Sequence, residues 1–240
     1  MKKALEIGGI AAGVVLIGFG IAAIVLAIAG GNTVNDNLTQ EFITGTPDMT
    51  PSGIQPEVRA IQGEQQKIAA KQKQAKVPPS QQYTFTNVEA PSCSVAGKQV
   101  VDGSSAKCFA QYMRIHALAA SSGLTYSQMG RYAAKPDAPV QSTDFNGGTN
   151  DTKYAETDPK TGQPASNGAR DLWVTETSLT TALYLAYTGS AISLFGIVVG
   201  IALLLSGIGF LVLALGGAIQ RVPLTRSSSK PAEPVPTPPS

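Results

Sequence analysis

Two long apolar runs, one near each end of the chain, dominate its pattern of hydrophobic and polar positions. The run over residues 191–219 holds no charged residue, and neither does the run over residues 7–29. A helix of about 20 apolar residues crosses the hydrocarbon core of a bilayer. We therefore predict two transmembrane helices, the first over residues 7–29 and the second over residues 189–219.

The first run also has features of a signal peptide. Lys2 and Lys3 precede it, and Ala27-Ile28-Ala29 is a small-residue site near its end. The apolar core of a signal peptide is about 7–15 residues long, and this run is considerably longer. We expect an uncleaved membrane span, with cleavage as a signal peptide as the alternative.

The basic residues nearest the two runs predict how the chain is oriented in the membrane. They are Lys2, Lys3, Arg221, Arg226 and Lys230, and no Lys or Arg lies between Gly30 and Thr50. Lys and Arg accumulate on the cytoplasmic side of membrane proteins. Residues 1–6 and the Pro-rich, disordered tail over residues 220–240 are therefore expected to be cytoplasmic. Residues 30–188 would form an extracytoplasmic domain, which a cleaved signal peptide would also leave outside.

The polar segment between the runs is predicted to begin with a connector and a helix. Residues 31–54 are rich in Asn, Thr, Gly and Pro, which indicates an extended connector with turns. Residues 56–76 are good helix formers with a thin apolar stripe, so we expect a solvated helix that rests lightly on the domain. A basic arm on anionic headgroups or wall polymers is the alternative. Residues 82–88 alternate aromatic and hydroxyl side chains, which predicts a short strand.

A second amphipathic helix is predicted over residues 104–121, with Ser104 or Ser105 as its cap. A capping-box pattern after it predicts a further short helix. Residues 135–169 carry almost no large aliphatic residues and indicate a long surface loop. The helical pattern resumes near Asp171, so the second membrane helix is expected to begin outside the membrane. The predicted fold class is mainly α, with two transmembrane helices flanking a mostly helical, loop-rich extracytoplasmic domain.

Cys93 and Cys108 are the only cysteines of the chain. Disulfides form and persist in oxidising compartments outside the cytoplasm. A redox-active pair is normally closer in sequence, as in Cys-x-x-Cys. We therefore predict one structural disulfide that holds a turn-rich segment against the first turn of the second amphipathic helix.

Glycines recur at helical spacing in both apolar runs. They are Gly9, Gly13 and Gly20 in the first run and Gly196, Gly200 and Gly207 in the second. Small residues along one face allow helix backbones to approach closely in lipid. The simplest prediction is that the two spans pack on each other as a helix hairpin, and the alternative is a homo-oligomer.

Candidate chemistry is sparse, because His116 is the only histidine. A Ser-His-Asp triad would have to use it, and the chain holds no nucleophile elbow. We expect a packing role for His116 and no catalytic, cofactor-binding or metal site. The acidic segment over residues 144–158 does not match the spacing of a calcium loop. The net charge of +2 gives no indication of nucleic-acid binding.

Two stretches resemble a family of uncharacterised actinobacterial membrane proteins. They are residues 93–130, which begin CSVAGKQVVDGSSAKCFAQYM, and residues 167–217, which begin NGARDLWVTETSLT. The resemblance implies two spans around an external segment with a Cys pair, and no catalytic residue. Similar sequences are sometimes labelled aromatic-ring-opening dioxygenases. A non-haem iron site takes two histidines and a carboxylate, so the residues of this chain do not support that label.

The predicted function is a structural or protein-interaction role in the bacterial cell envelope, for example as an accessory subunit of a membrane complex. The expected partners are the lipid bilayer and another membrane protein or a second copy of the chain. The alternative is an extracytoplasmic sensor or binding module for a small molecule or cell-wall fragment. Its pocket would be lined by Phe109, Tyr112, His116 and Trp173, residues that otherwise form core.

Overall fold

The computed structural model describes residues 2–138 and 147–216 and is mainly helical. The α-helices in this part of the chain are α1 (Lys2–Gln40), α2 (Gln55–Gln74), α3 (Gly103–Ala120) and α4 (Gly168–Leu215). Short 3₁₀ helices lie at Pro79–Gln81, Tyr126–Gln128 and Thr152–Tyr154. The described residues contain isolated β-bridges and no strand, so the mainly α class is confirmed.

The chain divides into two compact units, whose boundaries fall inside α1 and α4. One unit combines the residues up to Val25 with those from Gly196 onward, and the other is Leu26–Phe195. The predicted tail and its basic residues lie outside the described residues, as does the beginning of the acidic segment at Asp144.

The first unit, within the described residues, consists of a segment of α1 and a segment of α4. Its large apolar side chains are mostly exposed, including Phe19, Leu205 and Val212. Both helices are long and apolar enough to cross a membrane. Of their most apolar 18-residue windows, only 11% in α1 and 17% in α4 is buried, so most of this apolar surface is exposed in the single chain.

The predicted connector over residues 31–54 is wrong for its first ten residues, because α1 continues to Gln40. No proline interrupts this stretch, and the Thr33 and Thr39 hydroxyls donate to carbonyls four residues earlier. Leu38 is buried in the core of the second unit, and this burial stabilises the continuation of α1 as a helix. The helix stops before Phe42, which has a positive φ of 52°.

Helix α2 packs against α3 and forms the centre of the second unit. Its thin apolar stripe is fully buried, with Ile61 and Ile68 each 1% exposed. The expectation that this helix rests lightly on the domain is therefore wrong. The thin apolar stripe is sufficient for burial of this helix face because Gln65 and Gln72 extend the stripe and are also buried.

Residues 82–88 form no strand, contrary to the prediction. Glutamine side chains bond their backbone where a neighbouring strand would otherwise do so. Gln72 accepts from the Tyr83 N–H, Gln128 donates to the Thr84 carbonyl, and Gln62 donates to the Val88 carbonyl. Alternation in the sequence could not reveal that the segment has no strand partner.

Asp102, rather than Ser104 or Ser105, caps α3. Its carboxylate accepts from the Ser105 N–H at 2.7 Å, and its own N–H donates to the Ser105 hydroxyl at 3.1 Å. This is a capping box in which a serine takes the place of the usual glutamate. At the other end, Gly123 adopts a φ of +80° and its N–H donates to the Leu118 carbonyl.

Helix α4 runs without a break from Gly168 to Leu215, and Gly189 does not interrupt it. The prediction of a helical pattern that enters the second apolar run from upstream is therefore confirmed. Along its polar first part, the hydroxyls of Thr175, Ser178 and Thr181 donate to carbonyls four residues earlier.

Candidate functional site

The disulfide between Cys93 and Cys108 is formed and joins a turn-rich segment to the first turns of α3. One turn further along α3, the buried Tyr112 hydroxyl donates to the Cys93 carbonyl at 2.6 Å. Burial raises the pKa of Tyr112, and the Asp48 carboxylate raises it further. A covalent bond and a buried hydrogen bond thus hold the same short segment against α3.

Three of the four candidate pocket residues are core residues. Phe109, Tyr112 and Trp173 are 6%, 0% and 5% exposed and belong to one hydrophobic cluster. Arg114 lies over the Trp173 ring, 5.7 Å from its centroid. The pocket interpretation therefore does not describe these three side chains, which leave no free surface for a ligand.

His116 differs from them, because its imidazole lies between two carboxylates. Its Nε2 is 3.3 Å from an Asp48 oxygen, and its Nδ1 is 3.0 Å from a Glu57 oxygen. The His116 and Glu57 side chains are each 28% exposed and that of Asp48 is 41% exposed. The group is therefore half-buried and still open to small solutes.

The three side chains come from three chain segments that the core of the second unit brings together. Asp48 lies in a turn with backbone hydrogen bonds of its own. The nearby side chains of Met49 and Ile54 are buried in the core and anchor this turn. Glu57 is in the first turn of α2, and His116 is in α3, which packs on α2. The contact between these two helices therefore sets the distance between Glu57 and His116.

A third carboxylate, Glu176 of α4, lies near enough to the same imidazole for the two groups to interact electrostatically. Burial raises its pKa, and the nearby His116 partly offsets this effect. Its Oε2 atom is buried and has no hydrogen-bond partner among the described residues. One ligand atom each from Asp48, Glu57 and His116 lies within 4.8 Å of the other two, which is close enough to hold a metal ion.

The sequence marks His116 as the single histidine but does not indicate its partners. Asp48 follows a proline in a turn, and Glu57 suits the positive end of a helix dipole. The local sequence therefore explains the presence of each acidic residue without a ligand. The number of residues between either acid and His116 also matches no metal-ligand motif. Only the packing of α2 on α3 reveals the cluster.

A shallow groove of about 500 Å³ lies elsewhere on the second unit. It is bordered by residues 86–92, by α3 and by Tyr184 of α4. Its polar side chains include Glu89, Gln111 and Arg114. This groove is open to solvent, whereas the cluster of buried aromatic residues is not.

Within the first unit, four of the six predicted glycines lie at close approaches of the two helices. A Cβ built on Gly13 would lie 2.8 Å from the Gly207 carbonyl oxygen, and one on Gly20 would lie 2.7 Å from that of Gly200. These four glycines are buried. Gly9 borders a shallow apolar groove with Phe210, and Gly196 is half-buried.

Comparison with known proteins does not test the resemblance to actinobacterial two-span proteins. No family model matches the chain, and no curated protein or solved structure is significantly similar to it. The resemblance stays a prediction, and the function has to be argued from the residues and their geometry.

Proposed function

We propose that the chain is an integral membrane protein with two spans, residues 7–29 and 189–219. The observation that carries this proposal is the apolar surface of α1 and α4, which stays exposed after the two helices have packed. Exposed apolar area costs about 25 cal/mol per Å² in water. Lipid acyl chains remove that cost, and the backbone of a helix is already satisfied by its own hydrogen bonds.

The first span is retained rather than cleaved in this proposal. Ala27 and Ala29, the small residues of the alternative cleavage site, lie in the interior of the continuous helix α1. The same helix carries Gly13 and Gly20, which contact α4, and near its C-terminal end carries Leu38, which is buried in the core of the second unit. Cleavage would remove the glycine contacts.

The proposed orientation places residues 30–188 outside the cytoplasm and both chain ends inside. Basic residues flank the spans toward the chain ends, in agreement with the positive-inside rule. The Cys93–Cys108 disulfide supports the same orientation, because such bonds persist in oxidising compartments.

The role that we propose is structural or protein-interacting, as an accessory subunit in a bacterial cell envelope. Neither span contains an ionisable residue, which argues against an ion or proton pathway through this chain alone. Large apolar side chains such as Phe19 and Phe195 remain available to a helix of a partner protein or of a second copy.

A binding module for a small molecule or wall fragment is the second candidate, and the groove beside Tyr184 favours it. Arg114 and Glu89 present opposite charges there, and Asn87 and Gln111 add amide groups. Such a mixture suits a polar ligand with several hydrogen-bonding groups. A groove ligand should raise the melting temperature of the full-length protein, and Arg114→Ala should abolish that rise.

Topology can be tested with introduced thiols, because both native cysteines are oxidised and silent. Ser80 is exposed in the second unit, and Ser228 belongs to the predicted cytoplasmic tail. An impermeant maleimide should label Ser80→Cys in intact cells and Ser228→Cys only after lysis. The reverse pattern would overturn the orientation, and labelling of both in intact cells would overturn the two-span arrangement.

The interaction role can be tested with a photo-crosslinking amino acid at Phe19 or Phe195. We expect a discrete crosslinked product, either with one other membrane protein or with a second copy. The matched control is the same amino acid at Tyr184 in the groove. Crosslinks to lipid alone at both span positions would contradict the interaction role and leave the membrane proposal standing.

A further inference from the structure

We propose that Asp48, Glu57 and His116 bind a divalent transition-metal ion of the Zn²⁺ class. The site would lie in the second unit and is independent of the spans and of the groove. It goes beyond the proposed membrane role, because it assigns a ligand to residues on which that role does not depend.

The first argument is geometric. Zinc–nitrogen and zinc–oxygen bonds are about 2.0–2.2 Å long, which places neighbouring ligand atoms roughly 3.4 Å apart in a tetrahedral site. His116 Nε2 is 3.3 Å from Asp48 Oδ2, and the three ligand atoms lie within 4.8 Å of one another. Glu57 Oε2 is 3.0 Å from the other ring nitrogen, Nδ1, so the partly exposed Glu57 side chain would have to rotate away from Nδ1 to bind an ion held by Nε2 and Asp48.

The second argument is the charge balance of the cluster. Asp48 and Glu57 contact one imidazole and Glu176 lies within its electrostatic reach, and none of the three forms an ion pair with a Lys or Arg of the described residues. Even a protonated imidazole carries only one positive charge against the two carboxylates of Asp48 and Glu57, which leaves the cluster with an excess of negative charge. A bound dication removes that excess, because it is the largest local charge in such a site.

The third argument is the orphaned oxygen of Glu176. Buried polar atoms are rarely left without a partner, yet Glu176 Oε2 is buried and unpartnered in the described structure. Its carboxylate is close enough to His116 for the imidazole to affect it electrostatically. A metal ion on His116, or a water bound to that ion, would give this oxygen a partner.

The donor set indicates the class of ion. Two carboxylates alone would suit Mg²⁺ or Ca²⁺, whereas an imidazole nitrogen favours Zn²⁺ and its first-row neighbours. Three protein ligands leave one position of a tetrahedral Zn²⁺ open, as in zinc sites that carry water. Half-burial of the cluster leaves a path for the ion from solvent.

The test uses the full-length protein in detergent micelles, purified with a histidine-free affinity tag and treated with a chelator. Isothermal titration with Zn²⁺ should give one site per chain, and Zn²⁺ should raise the melting temperature. Mg²⁺ and Ca²⁺ should bind at least about 100-fold more weakly, because the imidazole contributes little to them.

A spectroscopic readout identifies the ligand without any substitution. The chain contains one histidine, so imidazole-nitrogen modulation in the pulsed EPR spectrum of the Cu²⁺-loaded protein assigns His116 as a ligand. Stoichiometric Cu²⁺ without such modulation would overturn the assignment, even if every variant below failed to fold.

Substitutions then separate this site from general attraction to acidic residues. Asp48→Asn and Glu57→Gln should each weaken Zn²⁺ binding by at least about 100-fold, since loss of even an outer partner of a metal ligand costs 10- to 100-fold. Glu64→Gln is the matched control, because Glu64 lies on α2 and pairs with Lys67 at the surface. Equal Zn²⁺ affinity in all three variants, or no stoichiometric binding by the wild type, would refute the site.

Discussion

A Cβ atom built on Gly20 of α1 would lie 2.7 Å from the carbonyl oxygen of Gly200 on α4, closer than such atoms approach in real structures. Gly20→Ala should therefore force the two helices apart. Overpacking of this kind costs about 1–3 kcal/mol. Reversible unfolding of the purified protein in mixed micelles should show a loss of stability in that range.

Gly18→Ala is the matched control for this prediction. Gly18 lies on the same helix and has no neighbouring atom within 4 Å of a built Cβ. Alanine is the better helix former by up to about 1 kcal/mol, so this variant should be neutral or slightly stabilised. Equal stabilities of the two variants would contradict the close packing of α1 on α4.

Removal of the disulfide should destabilise the second unit. In the chain-entropy model, a closed loop of about 15 residues contributes roughly 3 kcal/mol, and the two cysteines are separated by 15 positions. The Cys93→Ala, Cys108→Ala double variant should lose about that much in denaturant unfolding. Reductant should lower the stability of the wild type toward that of the double variant and leave the variant unchanged.

Tyr112→Phe tests the hydrogen bond that supports the disulfide segment. The variant keeps the buried ring and removes the hydroxyl that donates to the Cys93 carbonyl. Leaving a buried acceptor unsatisfied costs about 1–3 kcal/mol, and thermal unfolding should show this loss. Tyr126→Phe, at an exposed ring, should stay within about 0.5 kcal/mol of wild type. Identical melting temperatures for both variants would rule out a stabilising role of the Tyr112 hydroxyl.

Glu176→Gln should raise the melting temperature at neutral pH in the presence of a chelator. Burial raises the pKa of Glu176 in the folded state above its ordinary value of 4.5. The stabilising effect of this group is therefore complete below that value and is lost as the pH rises through the raised pKa. At neutral pH, folding of the wild type must either bury this charge or bind a proton, and the amide avoids both costs.

The advantage of Glu176→Gln should consequently shrink as the pH falls below the ordinary pKa, where the wild-type carboxyl is protonated. Melting curves of the wild type and the variant over a pH series give the comparison. A variant less stable than the wild type at every pH would contradict the assigned cost.

Much of the fold was predictable because it depends on local physics. The length of the charge-free runs predicted α1 and α4, and the glycine spacing predicted which face of each helix carries small residues. The buried stripe of α2 was visible as Val58, Ile61 and Ile68 at helical spacing. Two cysteines allow only one pairing, which the structure contains.

Long-range packing decided the rest. The alternation over residues 82–88 predicted a strand. The backbone of this segment instead forms hydrogen bonds with glutamine side chains of α2 and with Gln128, and not with a neighbouring strand. The polar stretch that ends at Gln40 became helical because Leu38 reaches the core. Each outcome depends on a contact between residues far apart in sequence, which periodicity does not encode.

The sequence alone determined two apolar helices, one disulfide and the scarcity of reactive side chains. Tertiary structure alone decided what surrounds the single histidine. Asp48, Glu57 and Glu176 are far from His116 in sequence and meet it because α2, α3 and α4 share one core. Hydrophobic burial fixes those helices in register, and the charged side chains at their edges are brought together as a consequence.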